Sequence, residues 1–250
     1  MDETVVLIQA RMGSTRLPGK VLLPLGGAPV LAHVVERCGT APGVGAVVVA
    51  TTDEPEDDAL AACAADLGAG VFRGSSADVL GRFAGAAAAF PAAHYIRITA
   101  DCPLADPAVV GAVLAAHMDG GRDYSYNDVP VGFPRGYDVE VVRGATLLWL
   151  AENCRDAASR EHVTPYLRDH AADFNVEKVM GPPSADFSGY RLVLDEEADY
   201  ELLKIIYERL GDKGPFGLND VLALLAAEPA LAEINRDVRQ KDRPPTPGVG

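Results

Sequence analysis

Arg11, Arg16 and Lys20 fall within one short run, Gln9-Ala-Arg-Met-Gly-Ser-Thr-Arg-Leu-Pro-Gly-Lys20, together with Gly13, Gly19, Ser14 and Thr15. The apolar segment before it, Val5-Val-Leu-Ile8, reads as a buried parallel strand. A glycine-rich turn after such a strand lets backbone N–H groups approach phosphate oxygens closely. The two guanidiniums and the ammonium supply countercharge, a combination that suits a triphosphate. The loop is not a Walker A motif: Gly13 and Gly19 stand one residue too far apart, and Val21 follows Lys20. A G-x-G-x-x-G fingerprint is also missing. A solvated basic turn is the other reading of these residues.

Two aspartates stand at strand ends. Asp101 directly follows the alternating run Tyr95–Thr99 and precedes Cys102-Pro103. Asp106 already serves a helix that starts at Pro107, which leaves Asp101 for chemistry. Asp195 ends the apolar run Leu192–Leu194, with Asp199 as a helix-start residue. A pair of hard carboxylates beside a phosphate loop suits Mg²⁺ and phosphoryl or nucleotidyl transfer, in which positioning and charge neutralisation do most of the work. Gln9 and Ala10 sit where the backbone can read a base edge, and Gly74 and Ser75 could hold the base or ribose from the far side. Arg82 is read either as a nucleotide contact or as a surface ion pair. No Ser-His-Asp arrangement is evident.

The positioning elements alternate. After the first strand come a helix over Pro29–Cys38, a strand over Ala46–Ala50 and a helix capped by Asp53. A short strand at Val71-Phe72 and a helix capped by Ser76 follow. Then come the strand Tyr95–Thr99 and a helix from Pro107. This order predicts an α/β fold, a mostly parallel central sheet flanked by helices. Ligands then bind at the carboxyl ends of the strands, where the phosphate loop, Gly74-Ser75 and Asp101 converge. The Tyr-, Pro- and Gly-rich stretch from Asp123 to Arg143 reads as a small antiparallel arm. Asp138 and Glu140 alternate with Val139 and Val141 there and so share a face. Ser159 is expected to cap a helix holding His162 and Tyr166. A strand over Tyr190–Leu194, the helix Ala198–Leu210 and two short helices close a single domain of residues 1–238, and residues 239–250 read as a disordered tail.

The chain has 250 residues, 48% of them hydrophobic, enough for one substantial core. Its net charge of −14 argues against nucleic-acid binding. The four cysteines are widely spaced without a C-x-x-C pair, which suits a reducing compartment and argues against zinc. The chain opens Met1-Asp2-Glu3 and enters a strand, and no apolar run is long enough to span a membrane. A cytoplasmic location is expected.

The run Arg11–Val21 resembles the signature of sugar-activating cytidylyltransferases, in particular the family of spore-coat polysaccharide biosynthesis protein F. More distantly it is similar to 3-deoxy-manno-octulosonate and acylneuraminate cytidylyltransferases. The similarity continues in order through Ala50–Asp58, Phe72–Ser75 with Asp78–Leu80 and Arg82, and Arg97–Leu104. It then passes through Gly136–Glu140, Ser159–Pro165 and Leu194-Asp195. The resemblance implies a Rossmann-like fold of the nucleotide-diphospho-sugar transferase type. It implies Mg²⁺-dependent transfer of CMP from CTP to a small acceptor, in surface-polysaccharide or specialised-metabolite biosynthesis. Arg11 and Lys20 would act on the triphosphate with help from Arg16. Gln9, Ala10, Gly13, Ser14, Thr52, Gly74, Ser75 and Arg82 would complete nucleotide binding, and Asp101 and Asp195 would hold the metal. The acceptor would meet Arg135, Tyr137, Asp138, Glu140, Arg160, Glu161 and His162. A cluster with Arg and His suits an anionic acceptor such as a carboxylate, phosphate or phosphonate, and a structural histidine is the other reading of His162. The segment Asp195-Glu-Glu-Ala-Asp199 lacks the Thr-Pro turn usual in relatives. Preference for cytosine rests on the resemblance alone, as does a homodimer through the 123–143 arm. A glycosyltransferase of the same fold or a non-catalytic nucleotide-binding protein are the alternatives. The first lacks a D-x-D motif, and the second would require the metal ligands or phosphate cations to be missing.

Overall fold

A computed structural model describes residues 4–183, 185–211 and 214–240. The first strand, β1 (Thr4–Gln9), lies between β4 (Ala46–Thr52) and β6 (His94–Thr99), parallel to both, and β5 (Gly70–Gly74) adds in parallel outside β4. Beyond β6 the sheet continues with β8 (Glu140–Arg143), β7 (Tyr124–Asn127) and β9 (Val176–Val179), in the order β5-β4-β1-β6-β8-β7-β9. The strand β8 alone runs against its neighbours, since β7 and β9 pair in parallel. A two-stranded hairpin, β2 (Pro24–Leu25) with β3 (Ala28–Pro29), follows the phosphate loop.

Period-two alternation divides the core into two layers. Val6 and Ile8 of β1 pack on one face with α1 (Val30–Gly39), α2 (Asp58–Asp66), α4 (Pro107–Asp119), α8 (Glu197–Leu210) and α9 (Leu218–Ala227). Val5 and Leu7 pack on the other with α3 (Val79–Ala89), α5 (Gly144–Asn153) and α7 (Pro165–Asp169). Covered on both faces and paired on both edges, β1 can be almost wholly apolar. Its carboxyl end is level with those of its neighbours, with Gln9 opposite Ala50 and Thr99. The loops that carry the chemistry therefore meet at one edge, where the strand order reverses. No helix of the described residues is long and apolar enough to cross a membrane.

Several local expectations shift. The antiparallel pair between residues 123 and 143 exists, but β8 joins it to the central sheet. Asp53 does not cap α2, because a 3-10 turn over Pro55–Asp57 intervenes. Asp78 rather than Ser76 caps α3, accepting from Gly81 N at 2.8 Å. Asp156 rather than Ser159 caps α6 (Ala157–His162), accepting from Ser159 N at 2.8 Å. His162 and Tyr166 lie on separate short helices, because Val163 adopts φ +71° and Pro165 opens α7. The stretch Tyr190–Leu194 is not a strand: only Arg135 and Arg191 form an isolated bridge, and Leu194 N donates to Asp101 O at 2.8 Å. The proposed tail lies outside the described residues from 241 onward, while Gln240 accepts from Arg191 at 2.6 Å.

Candidate active site

The phosphate loop leaves β1 at Ala10 and is pinned at its start. Met12 N donates to Asp57 Oδ1 at 2.6 Å, and the other oxygen of this fully buried carboxylate accepts from Thr52 N at 3.2 Å and Thr51 Oγ1 at 3.1 Å. The Thr52 hydroxyl also bonds Asp57. The loop turns back on itself through Ser14 N and Gly19 N, both donating to Met12 O, with Gly19 at φ +69°. Ser14 Oγ accepts from Leu17 N at 3.4 Å. Arg11 is left exposed and lines a cavity of about 420 Å³ with Gly13, Thr52, Glu54 and Ser76.

Lys20 closes the loop and is almost buried. Its ammonium donates to Asp101 Oδ2 at 2.8 Å, Asp195 Oδ1 at 2.9 Å and Leu194 O at 2.7 Å. Burial alone would lower its pKa, but Asp101 and Asp195 outweigh that and hold it above its usual value. Asp195 also accepts from Arg16 at 2.9 Å and Arg191 at 2.6 Å. Burial would raise the Asp195 carboxyl, and these three cations pull it down to about 2. Arg191 continues to Asp199 at 3.0 Å, and Asp199 accepts from the backbone N–H groups of Asp195 and Glu196, which fixes the turn. Asp101 Oδ1 accepts from Thr99 Oγ1 at 2.5 Å.

Thr99 also lines a larger cavity of about 610 Å³, whose wall includes Arg135, Asp138, Glu140, Glu161, His162 and Arg168. Glu140 is its structural centre. Oε1 accepts from Tyr124 at 2.5 Å, Thr164 at 2.7 Å and Arg168 at 2.6 Å, and Oε2 from Arg97 at 2.5 Å. Burial would raise this carboxyl, but Arg97 and Arg168 bring it to about 2. Arg97 also donates to Gln9 Oε1 at 2.9 Å and so links the strand end at the phosphate loop to the cavity. Burial raises Asp138, whose side chain is nonetheless 43% exposed, and Arg135 lies 3.8 Å away. Gly136 at φ +103° lets this turn pass the Leu192 carbonyl, which a Cβ would strike.

The structure brings Arg135, Asp138, Glu140, Glu161 and His162 to one cavity, but not Tyr137 or Arg160. Tyr137 is 1% exposed and packs in the core on the α1 face. Arg160 leaves the cavity because successive residues of α6 point in different directions, and it pairs with Asp78, the cap of α3. Arg82 is not a surface residue: it is 2% exposed, donates to Ser75 O at 2.5 Å and has no partner for Nε. Burial, then repulsion from Arg11, lowers its pKa. Ser76 rather than Ser75 lines the Arg11 cavity, and the Gly74 carbonyl accepts from Asp53 N at 3.0 Å. Sequence reasoning missed Asp57, Arg168 and Arg191 as organisers. It missed Arg97 as well, for which the available signal was a charged residue in a strand between Ile96 and Ile98, which face the core.

Two carboxylates at a phosphate loop, with no cage of three or more acidic, His or Cys side chains among the described residues, suit a metal completed by nucleotide oxygens. Lys20 already stands as a cation between them. The edge of an open α/β sheet with this equipment suits nucleotidyl transfer.

Comparison with known proteins agrees. The cytidylyltransferase family model matches residues 5–212. Spore coat polysaccharide biosynthesis protein SpsF of Bacillus subtilis (strain 168) is 36% identical over 237 residues, covering 93% of this chain and 98% of that protein. A cytidylyltransferase structure from Leptospira borgpetersenii serovar Hardjo-bovis (strain JB197) superposes with a TM-score of 0.87 at 32% identity, covering 97% of this chain and all of the other. The fold is also that of CMP:2-keto-3-deoxy-manno-octonic acid synthetase complexed with CTP, at a TM-score of 0.62 and 21% identity over 83% of this chain and 99% of that one. The chain belongs to the cytidylyltransferase family and is a nucleotidyltransferase enzyme.

Proposed function

We propose that this enzyme transfers CMP from CTP to a small anionic acceptor, of sugar, polyol-phosphate or phosphonate type, and releases pyrophosphate. The observation that carries this reading is the continuity of the site. Asp101 bonds Lys20, which closes the phosphate loop, and Thr99, which lines the larger cavity. An acceptor in that cavity lies beside a triphosphate held by the loop. Its oxygen attacks the α-phosphorus, the bond to the β-phosphate oxygen breaks, and pyrophosphate leaves. Arg11, Lys20 and Arg16 hold the triphosphate, and the buried Arg82 gives Arg11 a second guanidinium next to the nucleotide. Asp101 and Asp195 would hold Mg²⁺, which neutralises charge on the α-phosphate and the leaving group when bound.

An anionic acceptor is favoured by how the guanidiniums of the cavity are paired and not by net charge, since Asp138, Glu140 and Glu161 stand against Arg97, Arg135 and Arg168. Arg97 and Arg168 share the single carboxylate of Glu140, and Arg135 is only loosely paired with Asp138. The names of the relatives support a surface-polysaccharide pathway, with a specialised metabolite as the other setting. The reading further places the enzyme in the cytoplasm as a homodimer through the 123–143 segment, where Val131 is 46% exposed. The test is CTP-dependent pyrophosphate release with panels of anionic and neutral acceptors. Anionic acceptors should be turned over, and Arg135→Met should raise their KM by about 10- to 100-fold with CTP affinity unchanged. Turnover of neutral acceptors alone, with Arg135→Met silent, would overturn the acceptor class.

A further inference from the structure

Lys20 does more here than a triphosphate contact requires. All three of its N–H groups are used, on Asp101, Asp195 and the Leu194 carbonyl, and the residue is 8% exposed. The far oxygens of the two carboxylates are held as well, Asp101 Oδ1 by Thr99 and Asp195 Oδ2 by Arg16 and Arg191. Glu196 and Asp199 balance those guanidiniums from behind. The pair proposed to hold the metal is therefore already joined by a cation. A dication entering this space would sit against a fixed ammonium, with two guanidiniums nearby, where water screens poorly. Mg²⁺ also gives up its hydration shell reluctantly, so the free ion gains little. A polyanionic nucleotide changes the balance. Its phosphates offer Lys20 a replacement acceptor and bring oxygen ligands for the metal.

We propose that Lys20 is the resident counter-ion of the Asp101–Asp195 pair, and that a nucleoside triphosphate opens the pair to a divalent cation by drawing Lys20 away. This rests on the nucleotidyl-transfer reading and adds to it an order of binding: metal enters with or after the nucleotide, never alone. Because binding linkage is reciprocal, the metal strengthens nucleotide binding by the same factor.

The test uses Mn²⁺, whose free ion is counted by its electron paramagnetic resonance signal, on the full chain. Without nucleotide, Lys20→Met should bind Mn²⁺ at least about tenfold more tightly than wild type. Wild type should take up Mn²⁺ strongly only when CTP is present, counted as the loss of free ion beyond that bound by CTP in a protein-free control. Equal Mn²⁺ affinities for the two proteins without CTP would overturn the proposal. A second measurement needs no variant. In wild type the Lys20 ammonium should give a protected lysine-Nζ nuclear magnetic resonance signal, unmoved by Mg²⁺ alone and displaced by CTP with Mg²⁺. A shift on Mg²⁺ alone would contradict the order. Absence of CTP binding under every condition would instead sink the nucleotide reading, and is thereby distinguished from failure of the order alone.

Discussion

Asp57 shows how a residue that lines neither the Arg11 cavity nor the larger one can decide whether a loop works. It is fully buried. Both its oxygens are spent on N–H and hydroxyl donors from Met12, Thr51 and Thr52. It thereby ties the start of the phosphate loop to the end of β4. An asparagine would keep one acceptor and turn an NH₂ group toward donors, leaving a buried group unsatisfied. Asp57→Asn is expected to cost about 1–3 kcal/mol of stability and to weaken CTP binding by about tenfold, read by denaturant unfolding and by calorimetry. An unchanged CTP affinity would remove Asp57 from the list of positioning residues. At this scale the sequence is readable where a reactive type stands at a strand end, as with Asp101, or in a glycine-rich turn, as with Arg11 and Lys20. It is not readable for Asp57, because the same turn offers Asp53, Glu54, Glu56 and Asp58 as well. Only the three-dimensional path of the loop selects one.

Between elements, the work falls to Glu140 at the start of β8. Its carboxylate joins β6 through Arg97, β7 through Tyr124, and α7 through Arg168. Alternation placed Asp138 and Glu140 on one face, and both do line the cavity. Their partners arrive from segments without a shared period, so the hub was not visible in the sequence. Its folded pKa of about 2 lies below the ordinary 4.5. The stabilisation is therefore complete above pH 4.5 and is lost as pH falls toward 2. Asp195, at about 2 against 3.8, adds to the same acid-side loss. Glu140→Gln should flatten the decline in stability across that range and lower stability at neutral pH by about 3 kcal/mol, since Arg97 and Arg168 would then face each other uncompensated. Urea unfolding at stepped pH measures both, and an unaltered slope would show that the hub is not the acid-sensitive element. The helix caps illustrate a different limit. Asp78 and Asp156 replace the expected Ser76 and Ser159, because several capping types crowd each turn and backbone geometry selects among them.

Taken whole, a chain of net charge −14 gathers Arg11, Arg16, Lys20 and Arg191 at one edge of its sheet, where Asp101, Asp195, Glu196 and Asp199 pair the last three and Arg11 stands exposed. The parallel half of the sheet is legible because strand–helix alternation repeats at regular spacing and β1, covered on both faces, is apolar from Val5 to Ile8. The other half is less legible, because β7 and β8 are short and β8 reverses direction after an irregular loop. Whether this edge takes CTP in company with a divalent metal is decided by calorimetric titration of CTP, UTP, GTP and ATP with Mg²⁺, on wild type and on Asp101→Asn. Wild type is expected to select CTP in the presence of Mg²⁺, and Asp101→Asn to stay folded while losing most of the metal's contribution to binding. Equal binding of all four nucleotides, or CTP binding indifferent to both Mg²⁺ and Asp101, would contradict this expectation.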